Sequence, residues 1–262
     1  MTVLENIRGL VMDMDGVLWR GDTNLPGVAD FFAFLRTRGI RFLLATNNAT
    51  RTPGYYVGRL QSIGVNIRPE DVLTSSLATA RYLRRTNANG ARILIIGEEG
   101  LSRALREAGF ELVERGAQYV VAGLDRELTY EKLKRATLEI RAGARFIATN
   151  PDKTLPTDEG LVPGAGSILA AIETASGKPP DIIIGKPART MFDLAVEMLG
   201  LPRDRVAMLG DRMDTDIEGA HAADLHTILV LTGITMREEL EHASVQPDWV
   251  FDDLRALQAA WS

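Results

Sequence analysis

Ile7-Arg8-Gly9-Leu10-Val11-Met12-Asp13-Met14-Asp15-Gly16 is the stretch whose reading decides the fold. A short, mostly apolar run stops at two carboxylates spaced i and i+2, followed by a glycine. That pattern reads as a buried strand running out into a loop at its carboxyl end. The same design recurs along the chain. Arg41–Ala45 runs into Thr46-Asn47-Asn48, Asp181–Ile184 into Gly185-Lys186-Pro187, and Val206–Leu209 into Gly210-Asp211. Further runs at Arg92–Ile96, Tyr119–Ala122, Arg145–Ala148 and Thr227–Leu231 alternate with segments of helical period. Alternation of this kind predicts an α/β fold, a doubly wound parallel sheet built from βαβ units. Helix ends are legible too. Pro26 suits a first turn and Gly39 a close, Thr129 to Ile140 ends near Gly143, and Thr190–Leu199 stops before Gly200.

Ligands of an open parallel sheet bind just beyond the carboxyl ends of its strands. Asp13, Asp15, Thr46, Asn47, Asn48, Lys186 and Asp211 are therefore expected on one edge of one sheet, with Asp214 and Asp216 close behind. So many carboxylates are not tolerated together without a cation. An all-oxygen donor set suits a hard divalent ion, and Mg²⁺ takes one or two carboxylates, waters and a phosphate. Lys186 supplies a point charge able to neutralise both Asp13 and a phosphate. Thr46, with backbone donors at Asn47 and Asn48 ahead of Pro53, reads as an anion site at a helix start. Metal, ammonium and oriented donors together describe a site built around a phosphoryl group, whose transfer rests on positioning and charge stabilisation. The paired carboxylates then divide the work. Asp13 at the strand end attacks phosphorus, and Asp15, in the loop loosened by Gly16, protonates the leaving oxygen and later deprotonates water.

Each motif alone has a plainer reading. Asp-Gly after a strand is often only a turn, Thr-Asn-Asn can cap a helix, and a Gly-Lys-Pro lysine commonly faces solvent. Their joint order along the chain is what carries the inference. Composition narrows it further. There are no cysteines among the 262 residues, which excludes disulfides, thiolate catalysis and Cys-ligated zinc. A net charge of −5 argues against a nucleic-acid partner, and the basic stretch from Arg81 to Arg85 reads as a solvated helix face. The N-terminal residues lack the design of a signal peptide, and no apolar run approaches the ~20 residues of a membrane span, so a cytoplasmic location without membrane association is the expectation.

At these residues the chain resembles the haloacid dehalogenase superfamily: Asp13-x-Asp15-Gly-Val-Leu, Thr46-Asn-Asn, Gly185-Lys186-Pro187, and Gly210-Asp211 followed by Asp214-Thr215-Asp216. The stretch from Gly143 to Asp152 and Asn47-Asn48-Ala-Thr make it similar to the NagD or p-nitrophenyl phosphatase branch. The resemblance implies a Rossmann-like core with an inserted α/β cap domain: residues 1–76 and 182–262 as core, 77–181 as cap. It also implies Mg²⁺ on the side chains of Asp13 and Asp211 and the backbone carbonyl of Asp15. Catalysis would fall to Asp13, Asp15, Thr46 and Lys186, substrate binding to Thr46, Asn47, Asn48 and Lys186, and support behind the metal to Asp214 and Asp216. The implied partner is a small phosphorylated metabolite, and cap surfaces that pair in this family leave a homodimer open. Within the superfamily, dehalogenase chemistry would need neither Asp15 nor Asp211, and phosphomutases resemble members with the cap directly after the first motif. A receiver-like signalling module would be roughly half this length.

Overall fold

β1 (Gly9–Met12) is buried at all four positions, as a strand with neighbours on both sides and helices on both faces must be. The computed structural model describes residues 4–86, 88–157 and 159–261. Along the chain, β1 is followed by the two-stranded hairpin β2 (Trp19–Arg20) and β3 (Thr23–Asn24), α1 (Val28–Thr37), β4 (Arg41–Thr46), α2 (Pro53–Gln61) and β5 (Val72–Thr74). Then come α3 (Ser75–Arg85), β6 (Arg92–Ile96), α4 (Glu99–Glu107), β7 (Glu111–Leu112), β8 (Tyr119–Ala122), α5 (Tyr130–Arg141) and β9 (Arg145–Ala148). The hairpin β10 (Thr154–Thr157) and β11 (Gly160–Pro163), α6 (Ala165–Ser176) and β12 (Ile182–Ile183) complete this middle region. The chain ends with α7 (Arg189–Leu199), β13 (Val206–Gly210), α8 (Glu218–Ala222), β14 (His226–Val230), β15 (Trp249–Phe251) and α9 (Leu254–Trp261).

Two compact units result. One comprises Met1–Thr46, Val57–Leu73 and Lys186–Ser262; the other comprises Asn47–Tyr56 and Thr74–Gly185. The first holds a six-stranded sheet in the order β15-β14-β13-β1-β4-β5. β1 pairs in parallel with both β13 and β4, with Met12 opposite Leu209 on one side and Leu44 on the other. Asp13 donates its N–H to Leu209 O at 2.8 Å, continuing the ladder. Asp13 therefore emerges level with Gly210 and Ala45, and Thr46 one register step further on. The jump in strand order on either side of β1 is the switch point at which sheets of this kind bind ligands.

The second unit holds a five-stranded parallel sheet, β12-β9-β8-β6-β7. Its core sets Leu94, Ile96, Val120, Ala122, Phe146 and Ala148 of the strands against Ala136 and Ile140 of α5 and Ile168, Leu169 and Ile172 of α6. Glycines make α6 fit: a Cβ on Gly164 would lie 2.4 Å from Asp152 O, and one on Gly166 2.5 Å from Pro151 O. The basic stretch lies on α3 with Arg81, Arg84 and Arg85 exposed and Leu83 buried.

Several local expectations shift. α1 begins at Val28 behind Gly27 in the left-handed region (φ 82), so Pro26 precedes the helix instead of opening it. α2 does start at Pro53, which leaves Asn47 and Asn48 in the preceding loop, outside any helical first turn. The run before Gly185 does not join the sheet that carries Asp13. Ile182 and Ile183 pair with Ile147 and Ala148 of β9, at the edge of the second sheet. A half-buried apolar dipeptide suits the edge of either sheet, and only pairing partners distant in sequence decide which one it extends. No helix is long and apolar enough to cross a membrane among the described residues.

Candidate active site

Three carboxylates and one ammonium of the first unit come together behind the ends of β1 and β13. Asp13 stands one residue past β1 and Asp211 one past β13. Asp216 lies in the single wide turn Met213–Ile217, and Lys186 stands three residues before α7. Lys186 Nζ donates to Asp13 Oδ1 at 2.6 Å and reaches Asp216 Oδ1 at 2.7 Å, with its side chain 3 % exposed. Asp216 Oδ2 accepts the N–H groups of Asp211 (3.2 Å) and Arg212 (3.1 Å). Both oxygens of Asp216 are thus committed, and its role is to balance and orient Lys186. Asp211 Oδ2 accepts from Ile234 N at 2.8 Å, whereas its Oδ1 is buried and has no hydrogen-bond partner among the described residues. Buried carboxylate oxygens are ordinarily satisfied, so an orphan of this kind calls for a ligand.

Glycines let backbone approach these carboxylates. A Cβ on Gly16 would lie 2.3 Å from Asp211 Oδ2, one on Gly233 1.8 Å from the same oxygen, and one on Gly210 2.4 Å from Asp216. At Gly16 the backbone is also left-handed, with φ +84. The loop after β14 seals that side. Thr232 Oγ1 donates to Gly16 O at 2.6 Å, and Thr235 Oγ1 accepts from Met213 N at 3.2 Å.

Charge follows from this packing. Ionised together, Asp13, Asp211 and Asp216 would exceed Lys186 by two negative charges in a site that excludes most water. Burial raises the Asp13 carboxyl well above its ordinary range; Lys186 opposes this, and the neighbouring carboxylates of Asp216, Asp211 and Asp15 add to it. Burial, then Asp216, pushes Asp211 up to about 7. Burial alone would lower Lys186, but Asp13 and Asp216 outweigh it and hold the ammonium charged above the usual lysine range. One oxygen each from Asp13, Asp211 and Asp216 fall within 4.8 Å of one another. A small divalent cation fits this donor set, supplying the missing positive charge and a partner for Asp211 Oδ1. Asp13 and Asp211 offer the freer oxygens, because Asp216 Oδ1 is engaged by the Lys186 ammonium and Oδ2 by two backbone N–H groups.

Asp15 stands apart from the cluster. Its side chain is exposed, and Oδ1 accepts from Trp19 Nε1 at 2.9 Å. Protein crowding raises its carboxyl, and the Trp19 bond and the positive Arg59 partly offset that. Thr46, the last residue of β4, is buried. Asp214 is not among the gathered carboxylates: it turns outward, 67 % exposed, and binds Arg212 at 2.8 Å.

Asn47 and Asn48 belong to the second unit. Asn47 O accepts from Asn150 Nδ2 (2.8 Å) and Ser75 Oγ (2.6 Å), and Asn47 Nδ2 donates to Asp152 Oδ2 at 3.1 Å. Asn48 Oδ1 accepts from the N–H and hydroxyl of Thr50, both at 2.8 Å, closing a local turn. Three features escape a reading of the sequence: the Ile234 N–H on Asp211, the clasp of Asn150 and Asp152 on Asn47, and the Trp19–Asp15 bond. In the sequence, Trp19 four residues after Asp15 and the Asn150-Pro-Asp152 stretch after an apolar run mark two of these contacts, but a tryptophan there serves packing as readily and Asn-Pro-Asp a turn.

Comparison with known proteins agrees with this geometry. A family model described as haloacid dehalogenase-like hydrolase matches residues 10–111, and a second HAD-hydrolase-like model matches 183–257. An acid sugar phosphatase of Staphylococcus saprophyticus is 39% identical over 97% of this chain and 98% of its own. The crystal structure of a 4-nitrophenylphosphatase from Thermotoga maritima superposes with a TM-score of 0.96 at 39% identity, covering 100% of both chains. A Mycobacterium tuberculosis glycerol phosphate phosphatase, solved in complex with magnesium, gives 0.90 at 36% identity over 98% of this chain and 78% of its own. The chain belongs to the haloacid dehalogenase-like hydrolases, within their phosphatase branch of NagD and p-nitrophenyl phosphatase type.

Proposed function

We propose that this phosphatase is Mg²⁺-dependent and hydrolyses small phosphomonoesters through an aspartyl-phosphate on Asp13. The observation that carries the reading is the buried Asp13–Lys186–Asp216 cluster beside Asp211, whose Oδ1 lacks a hydrogen-bond partner among the described residues. Side chains of Asp13 and Asp211 and the carbonyl of Asp15 would hold the cation, which supplies charge stabilisation at the phosphoryl oxygens. The magnesium complex of the glycerol phosphate phosphatase supports this choice of ion.

Asp13 Oδ2 accepts no hydrogen bond among the described residues, while Oδ1 is held by Lys186. Oδ2 is the oxygen positioned to attack phosphorus, forming an O–P bond as the bond to the leaving oxygen breaks. Asp15 gives that oxygen its proton. In the second step Asp15 takes a proton from water, water oxygen bonds to phosphorus, and the Asp13–phosphate bond breaks. Lys186 stays charged throughout, keeping Asp13 oriented and offsetting the phosphate. Thr46 and the backbone donors of Asn47 and Asn48 are assigned to the phosphate oxygens.

Relatives named for sugar and glycerol phosphates support phosphorylated polyols as the substrate class. Residues 77–181, within the second unit, are assigned the part of a cap that selects among them. Nucleic acid and membrane partners are not part of this reading, a cytoplasmic location and a homodimer paired through the cap are. The direct test measures phosphate release from p-nitrophenyl phosphate and glycerol phosphate with Mg²⁺, with EDTA, and in Asp13→Asn. Activity that vanishes with EDTA and falls more than about 10³-fold in the variant is expected. Activity surviving EDTA, or a variant within about tenfold of the parent, refutes the mechanism.

A further inference from the structure

Asp15 is held by a side chain that the reaction scheme does not use. Trp19 is 1 % exposed, and its Nε1 donates to Asp15 Oδ1 at 2.9 Å. The backbone repeats the link: Gly16 N donates to Trp19 O at 2.7 Å, and Asp15 and Trp19 form an isolated bridge. The indole is fixed in turn from its far side. Arg59 of α2 lies with its guanidinium carbon 4.0 Å from the Trp19 ring centroid, and Arg59 Nη2 donates to Gly21 O at 2.5 Å. Arg20 Nε donates to Thr232 O at 2.5 Å, tying the same loop to the segment that covers Asp211.

Indole N–H is a donor with no acceptor capacity. A carboxyl oxygen that receives it cannot also carry an acidic proton pointed along the same line. We propose that Trp19 is a positioning residue of the acid–base step: by occupying Oδ1 of Asp15 it confines the transferable proton to Oδ2 and fixes the direction in which it is delivered. In the first step the proton moves from Oδ2 to the leaving oxygen as its bond to phosphorus breaks, and Oδ1 keeps the indole bond in the carboxylate that results. In the second, Oδ2 recovers a proton from the attacking water. A carboxyl free to rotate would divide its proton between two oxygens and two directions, and orientation of this kind is what a positioned catalyst contributes. The inference rests on Asp15 acting as acid and base, and it concerns only which of its oxygens does so.

Leaving-group dependence separates this role from simple packing. p-Nitrophenolate departs with little need of a proton, whereas the alkoxide of glycerol phosphate needs one. The value of kcat/KM reports the steps through phosphorylation of Asp13, so it isolates the proton-donating step from hydrolysis of the intermediate. Trp19→Phe keeps a buried ring and deletes the donor. It should lower kcat/KM on glycerol phosphate about tenfold and on p-nitrophenyl phosphate less than about threefold, with a bias in the same sense as that of Asp15→Asn and smaller. If the smaller ring impairs folding, 3-benzothienylalanine at position 19 puts sulfur in place of the N–H in a ring of nearly the same shape, and the same bias is expected. Equal losses on both substrates, or no loss on either, overturn the proposal. The parent's EDTA sensitivity and the inactivity of Asp13→Asn are measured alongside, so a failure of the general mechanism shows there and a failure of the Trp19 role shows only in the substrate ratio.

Discussion

Asp211→Asn should make the metal-free protein more stable at neutral and alkaline pH, although it removes a metal ligand. In the folded chain, burial and the adjacent Asp216 raise the Asp211 carboxyl from 3.8 to about 7. Its folded pKa lies above its unfolded one, so the native state binds a proton that the unfolded state has released. The contribution to stability is therefore fully present below about pH 4 and is lost as pH rises through about 7. At about 1.4 kcal/mol per tenfold in proton affinity, the loss approaches about 4 kcal/mol for this group alone. Asp13, also raised, steepens the slope. An asparagine is neutral at every pH and still meets the Ile234 N–H through its carbonyl, so the variant should escape Asp211's share of the loss. Urea or thermal unfolding in EDTA between pH 4.5 and 8 is the assay. The variant should lead by only about 1 kcal/mol at pH 4.5 and pull away as pH rises, to about 4 kcal/mol at pH 8. A chain of this size moves its Tm by about 2–4 °C per kcal/mol. Millimolar Mg²⁺ should reverse the order, because the parent gains ligand-binding free energy that the variant largely lacks. Parallel pH profiles in EDTA, with no gain for the variant at pH 8, would refute the reasoning that Asp211 is a buried charge awaiting a cation.

Gly233→Ala places a methyl group 1.8 Å from the present position of Asp211 Oδ2, so the carboxylate or the loop must move; Mg²⁺ affinity by calorimetry should fall at least about tenfold, and an unchanged affinity would mean Asp211 is not a ligand. Lys186→Met strands Asp13 and Asp216 without their shared ammonium, a loss that typically costs about 3–5 kcal/mol; denaturant unfolding in EDTA should show that deficit at pH 8 and a smaller one as pH falls and the raised Asp13 carboxyl takes up its proton, and a pH-independent deficit would contradict the electrostatic account.

The parallel α/β architecture was legible because buried strands with a polar loop at one end leave a strong local mark. Arg92–Ile96, Tyr119–Ala122 and Arg145–Ala148 fall on strands with those same bounds. The strands with weak marks are short or half-solvated: the hairpins at Trp19–Asn24 and Thr154–Pro163, the two-residue β7 and the terminal β15. In strands of this kind, two to four residues carry too little periodicity to read, and they become strands because a partner already presents its edge.

Residue types and their spacing by themselves determined the chemistry of this protein. Two carboxylates at i and i+2 after a buried run, a Gly-Asp after another, and a Gly-Lys-Pro are local facts of covalent order, and together they name a phosphoryl site. Tertiary structure alone decided how that chemistry is mounted. It placed the run before Gly185 in the second sheet while Lys186 meets Asp13 and Asp216 in the first unit, and it turned Asp214 outward and Asp216 inward two residues later. It also brought Ile234 N–H to Asp211 and committed Asp15 Oδ1 to Trp19. Side-chain chemistry is carried residue by residue along the chain. Hydrogen-bond partners, burial and the charge balance are properties of neighbours in space, and they exist only once the strands have chosen their sheets.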